Sequence, residues 1–117
     1  MTADYDRAVA DHIIDVWQKC GELLALIEVV PTSDYLLIEN VAVRPDQQGK
    51  GLGSKLLGHA ERLARSLKFD EVQLYTNAAF ASNLSFYARR GYHEYRRGTV
   101  LPGNITIFMR KTIKTSG

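Results

Sequence analysis

Cysteine is almost missing from this chain. Cys20 is the only one, so no disulfide can form within the chain, which agrees with a reducing compartment and a cytoplasmic location. Apolar runs are short, and none approaches the ~20 residues that span a bilayer. The N-terminus carries no signal-peptide pattern, so no membrane partner is expected. Charge of one sign is not in excess either. The formal net charge is +2, and the pairs Arg89-Arg90 and Arg96-Arg97 are too few to make a nucleic-acid surface. His12, His59 and His93 are scattered singly without metal-ligand spacing, so no metal is expected. Low-complexity tracts, linkers and internal repeats are also lacking. What remains, 117 residues with 45% hydrophobic and 24% charged, reads as one globular domain over 1–117.

The pattern along the chain alternates strands and helices. Residues 3–11 suggest a short helix or the end of one. Ile13–Trp17 and Leu23–Val30 read as a hairpin turning at Lys19–Glu22, with Gly21 available for a positive φ. Tyr35–Val43 reads as a central strand, apolar on both faces and ended by Pro45. By simple alternation Leu37, Glu39, Val41 and Val43 share one side, and Leu36, Ile38, Asn40 and Ala42 share the other. Leu56, Leu57, Ala60, Leu63, Ala64 and Leu67 form the apolar stripe of a helix over residues 51–67. A strand over 71–76 follows, and the crossover implies a parallel pair. A second helix near 81–90 ends at Gly91, placed for a left-handed cap, with Ser82 or Asn83 near its start. The hairpin 93–97 and 105–111 closes the chain, around a long loop at 98–104. The expected fold class is α/β: a mixed antiparallel and parallel sheet of about six strands, two main helices and the short N-terminal one.

Between the central strand and the first helix lies Gln48-Gly49-Lys50-Gly51-Leu52-Gly53. Strand, glycine loop and helix together make a backbone cradle for phosphates, because the glycines admit an anion and the helix N-terminus adds partial positive charge. A Walker loop does not fit, since no glycine precedes Lys-Ser or Lys-Thr at the right spacing. A dinucleotide fingerprint does not fit either: the glycines run G-x-G-x-G, with Ser54 where the third should stand. Gln48-x-x-Gly51-x-Gly53 fits a third pattern, Q/R-x-x-G-x-G/A.

With that pattern the sequence resembles the GNAT superfamily of acetyl-CoA-dependent N-acetyltransferases. Ile38–Pro45 looks like that family's pantetheine-binding strand, and Tyr87–Tyr92 looks like its Y-x-x-x-G-[FY] helix ending. The resemblance implies acetyl-CoA as cosubstrate and an amine acceptor, a small molecule or a protein amine. It implies that residues 48–54 (Gln48, Gly49, Lys50, Gly51, Leu52, Gly53, Ser54) hold the pyrophosphate, assisted by Lys50 or Arg44. The backbone of Val41, Ala42 and Val43 would take the pantetheine arm like an added strand. An N–H near Val41 would serve the oxyanion.

Tyr87 matches the family's helical tyrosine and is the candidate acid for the leaving thiolate; otherwise it is a packing residue. Glu39, a carboxylate within an apolar strand, is the candidate base, its burial expected to raise its pKa; otherwise it is a structural partner of a nearby basic residue. Asn83 would cap the helix or touch the cofactor, and Asn77 has the same standing. Cys20 in a turn is given no chemistry.

Relatives in this family usually begin with another strand and one or two helices, where this chain has about a dozen residues. The expectation is therefore an open acceptor pocket, or a homodimer in which a second subunit completes it, since Ile13–Trp17 would be an exposed edge. The competing reading is a binding module of the same fold that senses acetyl-CoA without turnover.

Overall fold

The computed structural model describes residues 12–101 and 103–113; the helix expected over 3–11 lies outside them. Ile13–Lys19 (β1) and Glu22–Pro31 (β2) form the antiparallel hairpin. Its two-residue turn puts both Cys20 (φ 53°) and Gly21 (φ 81°) in the left-handed region, as a type I′ turn demands. Leu36–Val43 (β3) pairs antiparallel with β2, and Glu71–Asn77 (β4) lies parallel to β3. Between them runs the helix Leu52–Ser66 (α1). The helix Ala81–Arg89 (α2) leads from β4 to the final hairpin, His93–Leu101 (β5) and Asn104–Thr112 (β6). The sheet order is β1-β2-β3-β4-β6-β5, so β6 inserts beside β4. Six strands, one parallel pair and two helices match the expected class.

Two expectations fail. The long loop at 98–104 does not exist, because β5 and β6 extend toward each other until Leu101 pairs with Asn104. Glycine and proline at 98, 102 and 103 suggested loop, yet Gly98 pairs with Thr106 inside the ladder. The second failure concerns β3, which is not covered on both sides. The pairing of β2 with β3 steps from Glu28↔Asn40 to Val29↔Ile38, leaving Glu39 as the extra residue of a β-bulge. The bulge resets the alternation. Leu36, Ile38, Val41 and Val43 therefore share the face of Val29, Ile27 and Ala25, while Asn40 and Ala42 sit opposite with Glu28 and Leu26.

Among the described residues, all the buried apolar side chains belong to that first face and to what packs on it. Leu56, Leu57, Ala60 and Ala64 of α1 meet Ala25, Ile27, Val29, Leu36, Ile38, Val72 and Leu74 of the sheet in one cluster. Burying a leucine or isoleucine there stabilises the fold by roughly 1.5–3 kcal/mol each. α2 lies on the same face, since the Phe86 ring stands 3.1 Å from where a Cβ on Gly53 would be. Among the described residues no element covers the other sheet face, where Ile14 is 59% and Val16 47% exposed.

Both helices end in the same way. Gly91 (φ 95°) donates to Ala88 O and Tyr92 N–H reaches Tyr87 O at 3.1 Å, a Schellman ending as the glycine suggested. Tyr92 then drops into the core at 2% exposure. At the end of α1, Lys68 takes the left-handed position (φ 71°) without a glycine, with Phe69 N–H bonding Ala64 O at 2.9 Å. A bond of 2.6 Å between His59 on α1 and Asp15 ties the helix to β1.

Candidate active site

The site begins where the parallel ladder stops. β3 and β4 pair at Leu36↔Val72, Leu37↔Gln73 and Ile38↔Leu74, and nowhere beyond. Past that rung β3 continues with β2 as far as Val43↔Ala25, and β4 continues with β6 as far as Asn77↔Thr106. Each strand is held by its outer neighbour, so the pair forks. The bulge at Glu39 falls at the first step of the fork, where added twist carries β3 away from β4. Among the described residues the edge of β3 from Glu39 to Val43 that faces β4 thus lacks a strand partner, the splay that pantetheine pairing requires.

A groove of about 520 Å³ opens from the fork. Val41 and Val43 form one wall, the glycine loop a second, and α2 the third, with Asn83, Phe86, Tyr87 and Arg90. Gly49 and Gly51 both stand at φ 82°, and a Cβ at either would meet nothing within 4 Å, so the space over the loop is open. Gly51 is the N-cap of α1 and supplies no side-chain cap. The N–H groups of the first turn, Leu52 to Ser54, therefore remain available to an acceptor from outside the helix. An anion carried on a long chain fits this cradle.

The residues expected to bind cofactor divide. Val41, Val43, Gln48, Gly49, Gly51, Gly53, Ser54 and Asn83 all line the groove. Lys50, Leu52 and Ala42 do not: Lys50 is exposed, Leu52 packs against the core, and Ala42 sits on the open face. Arg44 is engaged elsewhere, in a two-pronged pair with Asp46 at 2.7 Å that holds the Asp46 carboxyl below its usual pKa and the guanidinium above its own. Gln48 folds back to donate to Val43 O at 3.2 Å. Asn83 caps nothing; Phe80 is the N-cap of α2, and Asn77 Oδ1 instead accepts from Ala79 N–H at 2.8 Å.

A second, smaller hollow of about 180 Å³ lies in the fork itself, and Val41, Asn83 and Tyr87 line both it and the groove. Tyr87 is half-buried between the rings of Phe86 and Tyr92, and burial pushes its phenol pKa up. It keeps its proton across the neutral range and can donate it. Glu39 lines the fork hollow too. The expected burial of Glu39 is only partial: it is the extra residue of the bulge, half-buried, and its carboxylate lies beside the exposed Tyr75. Its partner is not basic either. Tyr75 Oη donates a hydrogen bond to Glu39 Oε1.

Sequence reading missed Tyr75, Phe86 and Arg90. For α2 a signal existed: Ser82, Phe86 and Arg90 fall at i, i+4 and i+8 beside the Asn83–Tyr87 pair, one helix face, and all five line the groove. Arg90 is fixed there by Ser54 Oγ at 2.8 Å and by stacking 3.8 Å from the Phe86 ring centre. Among the described residues no three His, Cys, Asp or Glu side chains are placed to hold a metal.

A forked mixed sheet beside a glycine-loop helix with no side-chain cap is an α/β site for a long, anionic ligand. The Acetyltransferase (GNAT) family profile matches residues 2–92, and the chain belongs to this family. Nourseothricin acetyltransferase superposes with a TM-score of 0.80 at 23% identity, over 89% of this chain but only 66% of its own. The ribosomal-protein-S18-alanine N-acetyltransferase of Escherichia coli gives 0.82 at 22% identity, covering 99% of this chain and 78% of that one. A GNAT acetyltransferase of Elizabethkingia anophelis, solved with acetyl-CoA bound, gives 0.82 at 15%, over 97% and 84%. At these identities the likeness is one of fold. No curated protein matches the chain by sequence.

Proposed function

We propose that the chain is an N-acetyltransferase that moves the acetyl group of acetyl-CoA to an amine by direct attack in a ternary complex. The observation that carries this reading is the fork, with Tyr87 and Glu39 lining a hollow that shares Val41, Asn83 and Tyr87 with the glycine-loop groove. Acetyl-CoA supplies an activated thioester. The N–H groups of residues 49–54 bind its phosphates, and the edge at Val41–Val43, beyond the last β3–β4 rung, pairs its amide arm once Gln48 releases Val43 O. Glu39 takes the proton that the amine sheds on attack, directly or through water. Tyr87 Oη donates to the departing sulfur. The acceptor reaches Glu39 from the open sheet face. It is an amine of a small molecule or a protein; two structural relatives are named for nourseothricin and for an alanine of ribosomal protein S18.

The open face also supports a second reading, an acetyl-CoA sensor without turnover, because among the described residues no element walls the acceptor side. A second copy could supply that wall, and a monomer in sedimentation at micromolar concentration removes the homodimer. Thiol release from acetyl-CoA across amines, peptides and polyamines separates enzyme from sensor. Tyr87→Phe is expected to keep acetyl-CoA affinity and to lower kcat by about 10²-fold. A mutant with unchanged kcat would show that Tyr87 only packs.

A further inference from the structure

Glu39 stands at an awkward place for a base. It is the extra residue of a bulge, only half-buried, and one step beyond the last rung between β3 and β4. Neither ladder fixes its side chain. A free glutamate loses about 1.5–2 kcal/mol of rotamer freedom when held in one geometry, so something must hold it. Tyr75 is placed to do so. It is the first residue of β4 beyond the same rung, and its hydroxyl donates to Glu39 across the opening fork.

Tyr75 is itself held from behind. It pairs with Phe108 on β6, the two ring centres 6.1 Å apart, and Arg96 of β5 sits 4.5 Å over the Phe108 ring. Three neighbouring strands, β5, β6 and β4, thus brace one carboxylate on β3 through Arg96, Phe108 and Tyr75. We infer that Tyr75 is a positioning residue that holds the Glu39 carboxylate in the fork for the incoming amine. This rests on the acetyltransferase reading given above. Tyr75 exchanges no proton with the substrate; it acts through Glu39. Its phenol, pushed up to about 12 chiefly by the hydrogen bond to Glu39 and then by burial, stays a donor throughout the working range.

The test is a double-mutant cycle on Tyr75→Phe and Glu39→Ala, assayed with acetyl-CoA and the amine turned over fastest in the panel. Tyr75→Phe keeps the ring, and so keeps the Phe108 contact. It is expected to lower kcat by about tenfold, with the KM for acetyl-CoA and the thermal midpoint unchanged. In the Glu39→Ala background the same substitution should change nothing further, because there is no carboxylate to hold. If Glu39→Ala slows turnover but Tyr75→Phe does not, or if the Tyr75→Phe loss persists undiminished in Glu39→Ala, the positioning role falls and the base assignment stands. If Glu39→Ala is as fast as wild type, or no amine is turned over at all, the base assignment and the positioning role fall together.

Discussion

Gly51 carries two demands at one position. It must hold φ at 82° as the N-cap of α1, and it must leave the space above the loop clear. A valine would fail on both counts, because a β-branched residue is strained in the left-handed region whatever the ligand does. Asparagine separates them: it tolerates that φ, and its side chain enters the groove without meeting any protein atom within 4 Å at its Cβ. Gly51→Asn should therefore cost at most about 1 kcal/mol in urea unfolding, while the Kd for acetyl-CoA rises by about tenfold or more. Calorimetric titration beside a denaturation curve checks both. An affinity unchanged by the substitution would place the phosphates elsewhere. Gly53 differs, since its φ is ordinary and an added Cβ would press on Phe86 at 3.1 Å, so its first role is the contact between α1 and α2.

At the level of the element, the bulge in β3 is what turns a strand into a site. Deleting Glu39 restores a plain alternation in which Ile38, Val41 and Val43 still face the helices, so the core is kept. The deletion should fold with native-like circular dichroism, yet it removes the twist that opens the fork. Loss of even one main-chain bonding position predicts acetyl-CoA affinity weaker by about tenfold, whereas Glu39→Ala, which keeps the bulge, should bind as wild type. Equal affinity in the two variants would show that the fork opens without the bulge. This element also marks how far the sequence could be read. Strands, helices, the parallel crossover and the Gly91 ending were legible because each rests on local periodicity or a single special residue. The bulge was not, although its trace is there: core residues at 36, 38, 41 and 43 step by two, three and two. An apolar strand hides such a slip. The site followed the same division, with the loop and Tyr87 legible as motifs. Tyr75 was not, because its meaning comes from where β4 stops pairing rather than from its neighbours in sequence.

Among the described residues the buried apolar side chains lie on one sheet face, and the described tyrosines are spread between that core and the exposed side. Tyr75, Tyr87, Tyr92 and Tyr95 all have phenol pKa values raised by the fold: Tyr75 chiefly by the Glu39 hydrogen bond, and the other three chiefly by burial. Tyr92 is the extreme case, buried at 2% exposure with its hydroxyl 3.1 Å from Glu61. An unfolded phenol ionises near pH 10, while these keep their protons to higher pH when folded. Between the two values the native state binds more protons than the unfolded state, so stability falls as pH rises. The contribution is fully present below about pH 10 and is lost above it, at up to about 1.4 kcal/mol per pH unit for the buried Tyr92. Urea midpoints should be nearly level from pH 7 to 9 and drop steeply between pH 10 and 11. Tyr92→Phe cannot ionise, so its curve should start lower for the lost bond to Glu61 and then decline less steeply. A parallel decline in the two proteins would show that the alkaline loss arises outside the core.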